Sequence, residues 1–556
     1  MKMKKKILIL ALSVICFLLL AQDPEWIWAR ITGGDENHYV TSICNDFSGN
    51  VYITGRFKWN TTIGNSNLIT DGDYDIFVAK LDAEGNFLWA QRAGGIAYDT
   101  SYDICCDQDG NVYIAGKFEE TANFGSYTLS SNGSANLFIA KLESNGNWQW
   151  AISAGNSGTT KCYAINSCVD GNIVATGYFT EEPFFGSTEL VCESGSNLFV
   201  AKLDPSGNWI WASQSDGTSP THGHCGKSIC SNSSGDIFLT GYVSGNGNFG
   251  STYLASNPGI DMFIAKLDIN GNWIWAINAG DFYPTNGVNI IANNEGESYT
   301  IGNFRGSVNF GNTLLSTSSY NDDDIFISKI DNSGNWMWSR SAGGIYNDYG
   351  AGICINENNN INIGGTFRND ASFGPFTFTA SGQDLFLAEL DAEGNWIYAI
   401  QAGGTNYELM ANLTIDHSNN LFVAGTFIQN ITFGTITLYG FIASQIYIAK
   451  YGNDTSIVNE LISLNIESIS NHPNPFNPST IIEFSIQNNS KIEISIFNIK
   501  GQKIRTLANN EFAVGTHSIL WTGDNENNNP VGSGIYYYKL NVNGNTAVVK
   551  KCLLLK

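Results

Sequence analysis

Four titratable side chains hold the same place in a repeat. Counted on from the pairs Gly33–Gly34, Gly94–Gly95, Gly343–Gly344 and Gly403–Gly404, the fourth residue is His38, Asp99, Asp348 or Glu408. Carboxylates and an imidazole gathered at one rim could ring a cation or a polar ligand, with Tyr98 and Tyr407 beside them as flat contact faces. A polar residue repeated at a fixed place also suits a scaffold role, accepting hydrogen bonds from loop amides. A glycosidase would need two carboxylates about 5 to 10 Å apart. Sequence spacing supplies no such distance, and no Gly-x-Ser-x-Gly elbow, His-Glu-x-x-His pair or phosphate loop stands in a suitable context. His222, Gly223, His224 and Cys225 form the densest group of metal-type ligands, without a second ligand pair at metal spacing. No cofactor is expected. Ca2+ is the alternative, because Asp71–Asp75, Asp107–Asp109 and Asn321–Asp324 offer hard oxygens. None of these runs on to a twelve-residue loop closed by Glu, and Asx turns account for them. Lys80, Lys141, Lys202, Lys266, Lys329 and Lys450 end one strand type beside acidic groups and read as ion-paired rim residues.

The elements that carry these residues recur. A strand beginning at Phe77, Phe138, Phe199, Phe263, Phe326, Phe386 or Tyr447 returns at steps of 61, 61, 64, 63, 60 and 61 residues. A Gly-Asn turn and an aromatic strand such as Trp148–Ala151 follow six of the seven copies. Such a step suits a four-stranded propeller blade with its loops. Twelve of the 14 tryptophans fall at two positions of the aromatic strand, among them Trp26, Trp28, Trp209 and Trp211, so they read as core, and Ile210 on the other face implies a strand buried on both sides. The repeat region opens with a lone aromatic strand, Trp26–Ala29, and closes at Tyr447–Lys450 without one. Each end completes the other, which predicts an all-β, seven-bladed β-propeller over 23–452, closed by its N-terminal strand.

The motifs Gly49-Asn50, Thr54-Gly55-Arg56-Phe57, Phe77-Val78-Ala79-Lys80-Leu81-Asp82 and Gly146-Asn147-Trp148 resemble the bacterial SBBP-type β-propeller repeats. That resemblance implies a shape and no set activity. Glu389 stands where other copies have Lys, Val243 where they have Phe, and Tyr398 where they have the second Trp.

After a polar linker at 453–470, alternating segments follow a proline-stiffened entry and predict a small β-sandwich over 471–556. Asn474-Pro475-Phe476-Asn477-Pro478, the segment through Gly501, and Ser533-Gly534-Ile535-Tyr536-Tyr537 resemble the C-terminal sorting domain of the type IX secretion system, itself similar to the Ig-like domain of flagellar hook-capping proteins. The resemblance implies type IX machinery as a partner, export across a Gram-negative outer membrane, and a secreted or outer cell-surface location. A basic stretch and the apolar run Ile7–Ala21 read as a signal peptide at 1–21, leaving no transmembrane span in the mature chain.

Formal charge is -23, and removing the four leader lysines takes it to about -27. Nucleic acid is therefore excluded as a partner, since phosphate binding needs clustered Lys and Arg. Of 11 cysteines, Cys44, Cys105, Cys168, Cys230 and Cys354 fall at matching places and read as core residues of the innermost strands. Copies in separate blades do not face one another, which argues against a disulfide framework. Cys225 with Cys230 and Cys162 with Cys168 are the local exceptions. The functional expectation is a non-enzymatic binding or scaffold protein presenting rim loops to an extracellular glycan or protein. The alternatives are a carbohydrate-active or other hydrolase and a structural surface-layer or matrix component.

Overall fold

The computed structural model describes residues 24–555 apart from 35–36, 194, 218–222, 257–258, 454–465, 487, 499–501 and 543–544. The leader at 1–21 and most of the expected linker lie outside the described residues. Two compact units are present, Asp23–Gly452 and one that contains Asn453–Lys556. Every regular element described is a strand.

Within Asp23–Gly452 the repeat folds as four-stranded antiparallel groups. In one of them, Thr100–Cys106, Val112–Phe118, Asn136–Leu142 and Trp148–Ala154 pair in sequence order. Asp107 turns the first strand into the second by accepting the amides of Asp109 and Asn111 at 3.0 and 2.9 Å and the Asn111 Nδ2 at 2.8 Å. This is Asx-turn chemistry, and it satisfies the carboxylate without a metal. The second and third strands are buried on both faces, with Val112, Tyr113, Ile114, Leu137, Phe138 and Ile139 all fully enclosed.

Seven first strands are described: Tyr39–Asn45, Thr100–Cys106, Thr160–Ser167, Cys225–Ser231, Thr285–Ala292, Tyr349–Ile355 and Leu409–Ile415. Each packs on the first strand of the next group, and the last packs on the first. The N-terminal strand Glu25–Thr32 lies antiparallel to Gln445–Gly452, with Trp28 opposite Lys450 and Ile31 opposite Tyr447.

One device joins neighbouring groups. The second tryptophan of a fourth strand donates its indole N–H to a carbonyl in the next group's third-to-fourth turn: Trp89 to Ser144 at 3.1 Å, Trp150 to Pro205 at 3.1 Å, Trp275 to Asn332 at 3.1 Å and Trp338 to Ala392 at 3.0 Å. The ring covers a turn glycine at positive φ, where an added Cβ on Gly146 would lie 2.9 Å from Trp89. Lys80 and Lys329 donate to the same carbonyls, at 3.1 and 3.4 Å, while Lys202 and Lys329 also pair with Asp170 and Glu297. These lysines are buried staples between groups. Trp28 makes the same bond across the chain ends, to Ala83 at 3.1 Å.

Both departures at Glu389 and Tyr398 now have a cause. Their group faces the last one, whose third strand ends at Gly452 and takes the N-terminal Glu25–Thr32 as its fourth, so among the described residues no third-to-fourth turn offers a carbonyl to an indole or ammonium. Glu389 instead accepts from Asn356 and Asn360 at 3.0 and 2.7 Å, and Tyr398 donates to Asn362 at 3.2 Å.

One expectation is corrected. The fourth strand is covered on one face only: Leu88, Ile210 and Met337 are 54%, 51% and 53% exposed. As the outermost strand of its group it has a neighbour beneath its tryptophans and solvent on the other side.

The C-terminal unit holds a three-stranded sheet (Ile466–His472, Thr480–Ile486, Gly515–Trp521) and a four-stranded one (Ser490–Asn498, Lys503–Phe512, Gly534–Val542, Asn545–Leu554). Ile482, Phe484 and Trp521 of the first meet Ile492, Ile494, Tyr538 and Leu540 of the second in one core.

Candidate functional site

His38, Asp99, Asp348 and Glu408 do hold one structural place, just before a first strand, and the structure adds Thr160, His224 and Thr285 to the set. All seven are buried. They do not form an outward-facing ring. Asp99 accepts the amides of Gly95 and Glu119 at 2.7 and 3.1 Å, and Asp348 those of Gly344 and Arg368 at 2.6 and 2.9 Å. The Glu408 carboxylate is enclosed with no well-formed hydrogen bond, the Gly404 amide lying nearby. Among the described residues both ring nitrogens of His38 are enclosed without a partner, while His224 Nδ1 meets Ser215 Oγ at 2.8 Å.

A second carboxylate, from the start of the preceding third strand, faces three of these acids. An ideal Cβ on Gly94 would lie 2.4 Å from Asp75 Oδ1 and 3.0 Å from Asp99 Oδ2, and one on Gly343 2.8 Å from Asp324 Oδ1 and 2.7 Å from Asp348 Oδ2. Burial and the facing charge favour the protonated forms. Burial pushes Asp99 up to about 7 against its two amide bonds, with Asp75 adding to the rise. Asp348 also rises to about 7, mainly by burial, and burial with Asp384 nearby raises Glu408 to about 8. Burial lowers His38 and His224 to about 4, so both are neutral. Among the described residues no group of three or more His, Cys, Asp or Glu is arranged to hold a metal ion. His222 lies outside the described residues. Cys225 is buried, and Cys162, Cys168, Cys225 and Cys230 are free thiols. Cys168 falls just beyond the first strand Thr160–Ser167, in the turn.

A different site appears between the first strands. Residues from all seven line one cavity of about 330 Å³. Each first strand carries a bulge, and the residue after it points into the belt of the cavity: Ser42, Asp103, Ser228, Asn289 and Asn412 stand at this place. Ser42 donates to Asp103 at 2.7 Å, Asn412 to Ser42 at 3.3 Å, Asn289 to Asn412 at 3.2 Å and Ser228 to Asn289 at 3.0 Å. Asp103, the one carboxylate lining the cavity, also accepts from the Ile165 amide at 2.9 Å. Burial raises it to about 6. Among the described residues no second carboxylate lines the cavity beside it, as the paired acids of glycoside hydrolysis would require.

The bulged residues themselves include Tyr102, Tyr163 and Lys227, which form an aromatic wall. Tyr102 and Tyr163 have ring centroids 4.8 Å apart, Tyr163 stacks on Tyr178 at 5.9 Å, and Lys227 Nζ sits 3.7 Å from the Tyr163 ring. Tyr98 lies at the margin of this cluster, with Lys117 Nζ 4.4 Å from its ring. Tyr407 is set apart from it, half exposed and bonded to Arg368 at 3.0 Å. The belt had one sequence signal. Ser42, Asp103 and Ser228 each stand two residues before a repeated cysteine and so share its face. The bulge that turns the tyrosines into the cavity had none.

In the C-terminal unit the motif residues grip the last strand. Phe476 is buried against Trp521 with ring centroids 5.3 Å apart, its amide bonds Leu553 O at 2.9 Å, and its carbonyl takes the Leu555 amide at 2.9 Å. Asn474 Oδ1 accepts the Leu553 amide at 2.9 Å. Tyr536 packs edge-on to Trp521 and donates to Gly532 at 2.9 Å. Pro475, Asn477 and Pro478 are exposed, Gly534 opens the strand to Val542, and Gly501 lies outside the described residues.

Residues 470–554 match the family model of the secretion system C-terminal sorting domain. The C-terminal unit is a sorting domain. It marks the chain for the type IX route, as a secreted or cell-surface protein. Elsewhere the chain is 22% identical over 508 residues to an uncharacterised WD repeat-containing protein of Acanthamoeba polyphaga mimivirus, covering 74% of this chain and 36% of that one, about a third of its length. Among solved structures, a protein of unknown function from Bacteroides caccae aligns over 66% of this chain and 94% of its own, at 10% identity and a TM-score of 0.32. PorZ of Porphyromonas gingivalis, titled a surface component of the type IX secretion system, aligns over 93% of this chain and 81% of its own, at 10% identity and a TM-score of 0.29. Among the described residues no helix is long and apolar enough to cross a membrane.

Proposed function

We propose that this chain is an exported binding protein, a seven-bladed propeller of SBBP type closed by its N-terminal strand, with an Ig-like sorting domain that engages the type IX machinery. Closure is supported by Trp26 and Trp28, which pack into different groups: Trp26 against Phe433 at 4.8 Å, Trp28 in a core shared by Phe57, Phe77, Phe422 and Ile448. The ligand site is the cavity between the first strands, and the ligand is an extracellular glycan. The observation that carries this reading is the tyrosine wall of Tyr102 and Tyr163 above a belt of Ser, Asn and Asp side chains, since sugars are held by flat aromatic faces and by polar groups that match their hydroxyls. The buried groups His38, Asp99, Asp348 and Glu408 act as scaffold. The test is a glycan array probed with the full exported chain. Binding that Tyr102→Ala with Tyr163→Ala abolishes while the melting temperature holds supports the site. Binding indifferent to that change, or product release from the array, overturns it.

A further inference from the structure

Cations are scarce in this chain, 28 against 51 acidic residues, and most of those in the repeat are committed. Lys80, Lys202, Lys266 and Lys329 bond carboxylates, and Arg92 bridges Asp71 and Asp75. Arg56, Lys161 and Lys227 differ. Among the described residues they have no carboxylate partner and face tyrosine rings alone. The Arg56 guanidinium carbon lies 4.6 Å from the Tyr39 ring and 5.6 Å from Tyr74, with its Nε enclosed and unpartnered. Lys161 Nζ stands 5.5 Å from Tyr178, and Lys227 Nζ 3.7 Å from Tyr163. Of the three, Lys227 lines the cavity, beside Tyr163 and Tyr102, whose rings are in contact; Arg56 and Lys161 face tyrosines outside its lining.

Partial removal of a cation from water costs free energy that a ring quadrupole only partly returns. In a chain with a large excess of carboxylates, leaving such a cation unneutralised on the cavity wall is a specific arrangement. We propose that this wall is a subsite for an anionic sugar, a uronate or sulfated hexose of an extracellular polysaccharide, with the acid group on Lys227 and the ring face on Tyr102. The inference rests on the cavity being the glycan site. A cavity of about 330 Å³ suits one or two sugar rings at the small end of ligand pockets. Nucleic acid carries a charge at every phosphate and would be repelled by the rest of this acidic surface.

The test is titration of the full exported chain with tetragalacturonate, its neutral counterpart tetragalactose, a sulfated galactan tetramer and oligo-dT. The expected result is binding of an acidic tetramer at least tenfold tighter than the neutral one, lost tenfold or more in Lys227→Met together with a weaker salt dependence, and little changed in Arg56→Met, whose side chain does not line the cavity. Equal affinity for acidic and neutral tetramers overturns the charge reading and leaves the cavity as the glycan site. Oligo-dT binding as tight as the sugar, or no binding of any acidic tetramer, overturns the proposal. Melting curves of both variants separate lost contact from lost fold, and Lys227→Arg should restore binding only if charge is what matters.

An independent observation carries a second inference. Cys44 Sγ and Cys106 Sγ, from the first strands of adjacent groups, lie 3.0 Å apart. Cys106 follows the repeated Cys105, so it points to the opposite face, back at the preceding group. This is how two groups come to share a thiol pair although the repeated cysteines do not meet. We infer that Cys44 and Cys106 form a disulfide in the exported protein. Closing the pair needs about 1 Å of movement to reach bond length. The electrons and protons of the two thiols pass to a periplasmic protein disulfide, which becomes a dithiol as the Cys44–Cys106 bond forms. Peptide mapping of the exported chain under non-reducing conditions should recover the cross-linked pair, and Cys106→Ala should release one alkylatable thiol at Cys44. Alkylation of both thiols in the unfolded, unreduced native chain overturns the inference.

Discussion

At the residue scale the decisive feature is that recurring polar groups lie inside the fold. Glu408 is the extreme case: fully enclosed, facing Asp384, and raised to about 8 by burial and that neighbour. The folded state therefore keeps a proton that the unfolded chain gives up from about pH 4.5. Stability present below that pH is lost as pH rises to about 8. Glu408→Gln should consequently match the parent near pH 4 and exceed it increasingly up to pH 8, by roughly 1 to 3 kcal/mol, read as melting temperature against pH. His38 has the reverse sign. Lowered to about 4 by burial, it contributes stability above about pH 6.5 that is lost as pH falls through 4. Asp99 and Asp348 each take two amides on two oxygens, and an amide side chain offers a single acceptor. Asp99→Asn should therefore cost about 1 to 2 kcal/mol in chemical denaturation near pH 5, a deficit that shrinks towards pH 8 because the buried carboxyl, raised to about 7, costs the parent stability over that range. The shared place of four of these residues was legible from the glycine pairs. Their inward direction was not, because Gly-x-x-x spacing fixes sequence distance and says nothing of which way the connection folds over the third strand.

At the scale of the element, strand identity and order could be read from sequence because Gly-Asn turns follow six of the seven third strands and Asp-x-x-x-Asn turns recur, as at Asp82–Asn86 and Asp107–Asn111. The Trp-to-turn staple was half legible: the tryptophans' spacing marked them as packed, but their partner lies in the next group. It also shows that exceptions carry information, since Glu389 and Tyr398 mark the one junction where the neighbouring turn is missing. Gly171 and Gly271 offer a direct measure of the staple. Both have positive φ, 80° and 84°, but an added Cβ meets nothing within 4 Å at Gly171 and Trp211 at 2.8 Å at Gly271. Gly171→Ala should cost about 1 to 2 kcal/mol of backbone strain alone. Gly271→Ala should cost visibly more in the same denaturation series, and equal costs would remove the ring contact from the account. Deleting residues 24–32 strips Trp26 and Trp28 from the last and first groups, at about 3 to 5 kcal/mol for the buried Trp28 and less for the half-buried Trp26. An unchanged melting temperature in that variant would refute closure by the N-terminal strand.

For the molecule as a whole, two units answer two questions, and the chemistry divides between them. The repeat unit holds the cavity and the cations that face tyrosine, while the sorting unit holds a core of its own around Phe476, Trp521 and Tyr536. Because Phe476 and Asn474 bind the backbone of Leu553 and Leu555, the Asn-Pro-Phe-Asn-Pro motif and the C-terminal strand are one structural object. Phe476→Ala should therefore loosen the last strand as well as empty a core position, costing about 3 to 5 kcal/mol within the sorting unit. Export should fall with it, although every other motif residue is retained. Removing 471–556 altogether separates address from fold. The cores of the repeat unit are built from residues 26–451 alone, so the truncated chain should keep the parent's repeat-unit melting transition and its glycan binding. In a host with type IX secretion it should accumulate folded in the periplasm, measured by fractionation and surface protease accessibility. Surface display at the parent level would strip the sorting domain of its role here, and loss of the repeat-unit transition would show that the two units do not fold independently.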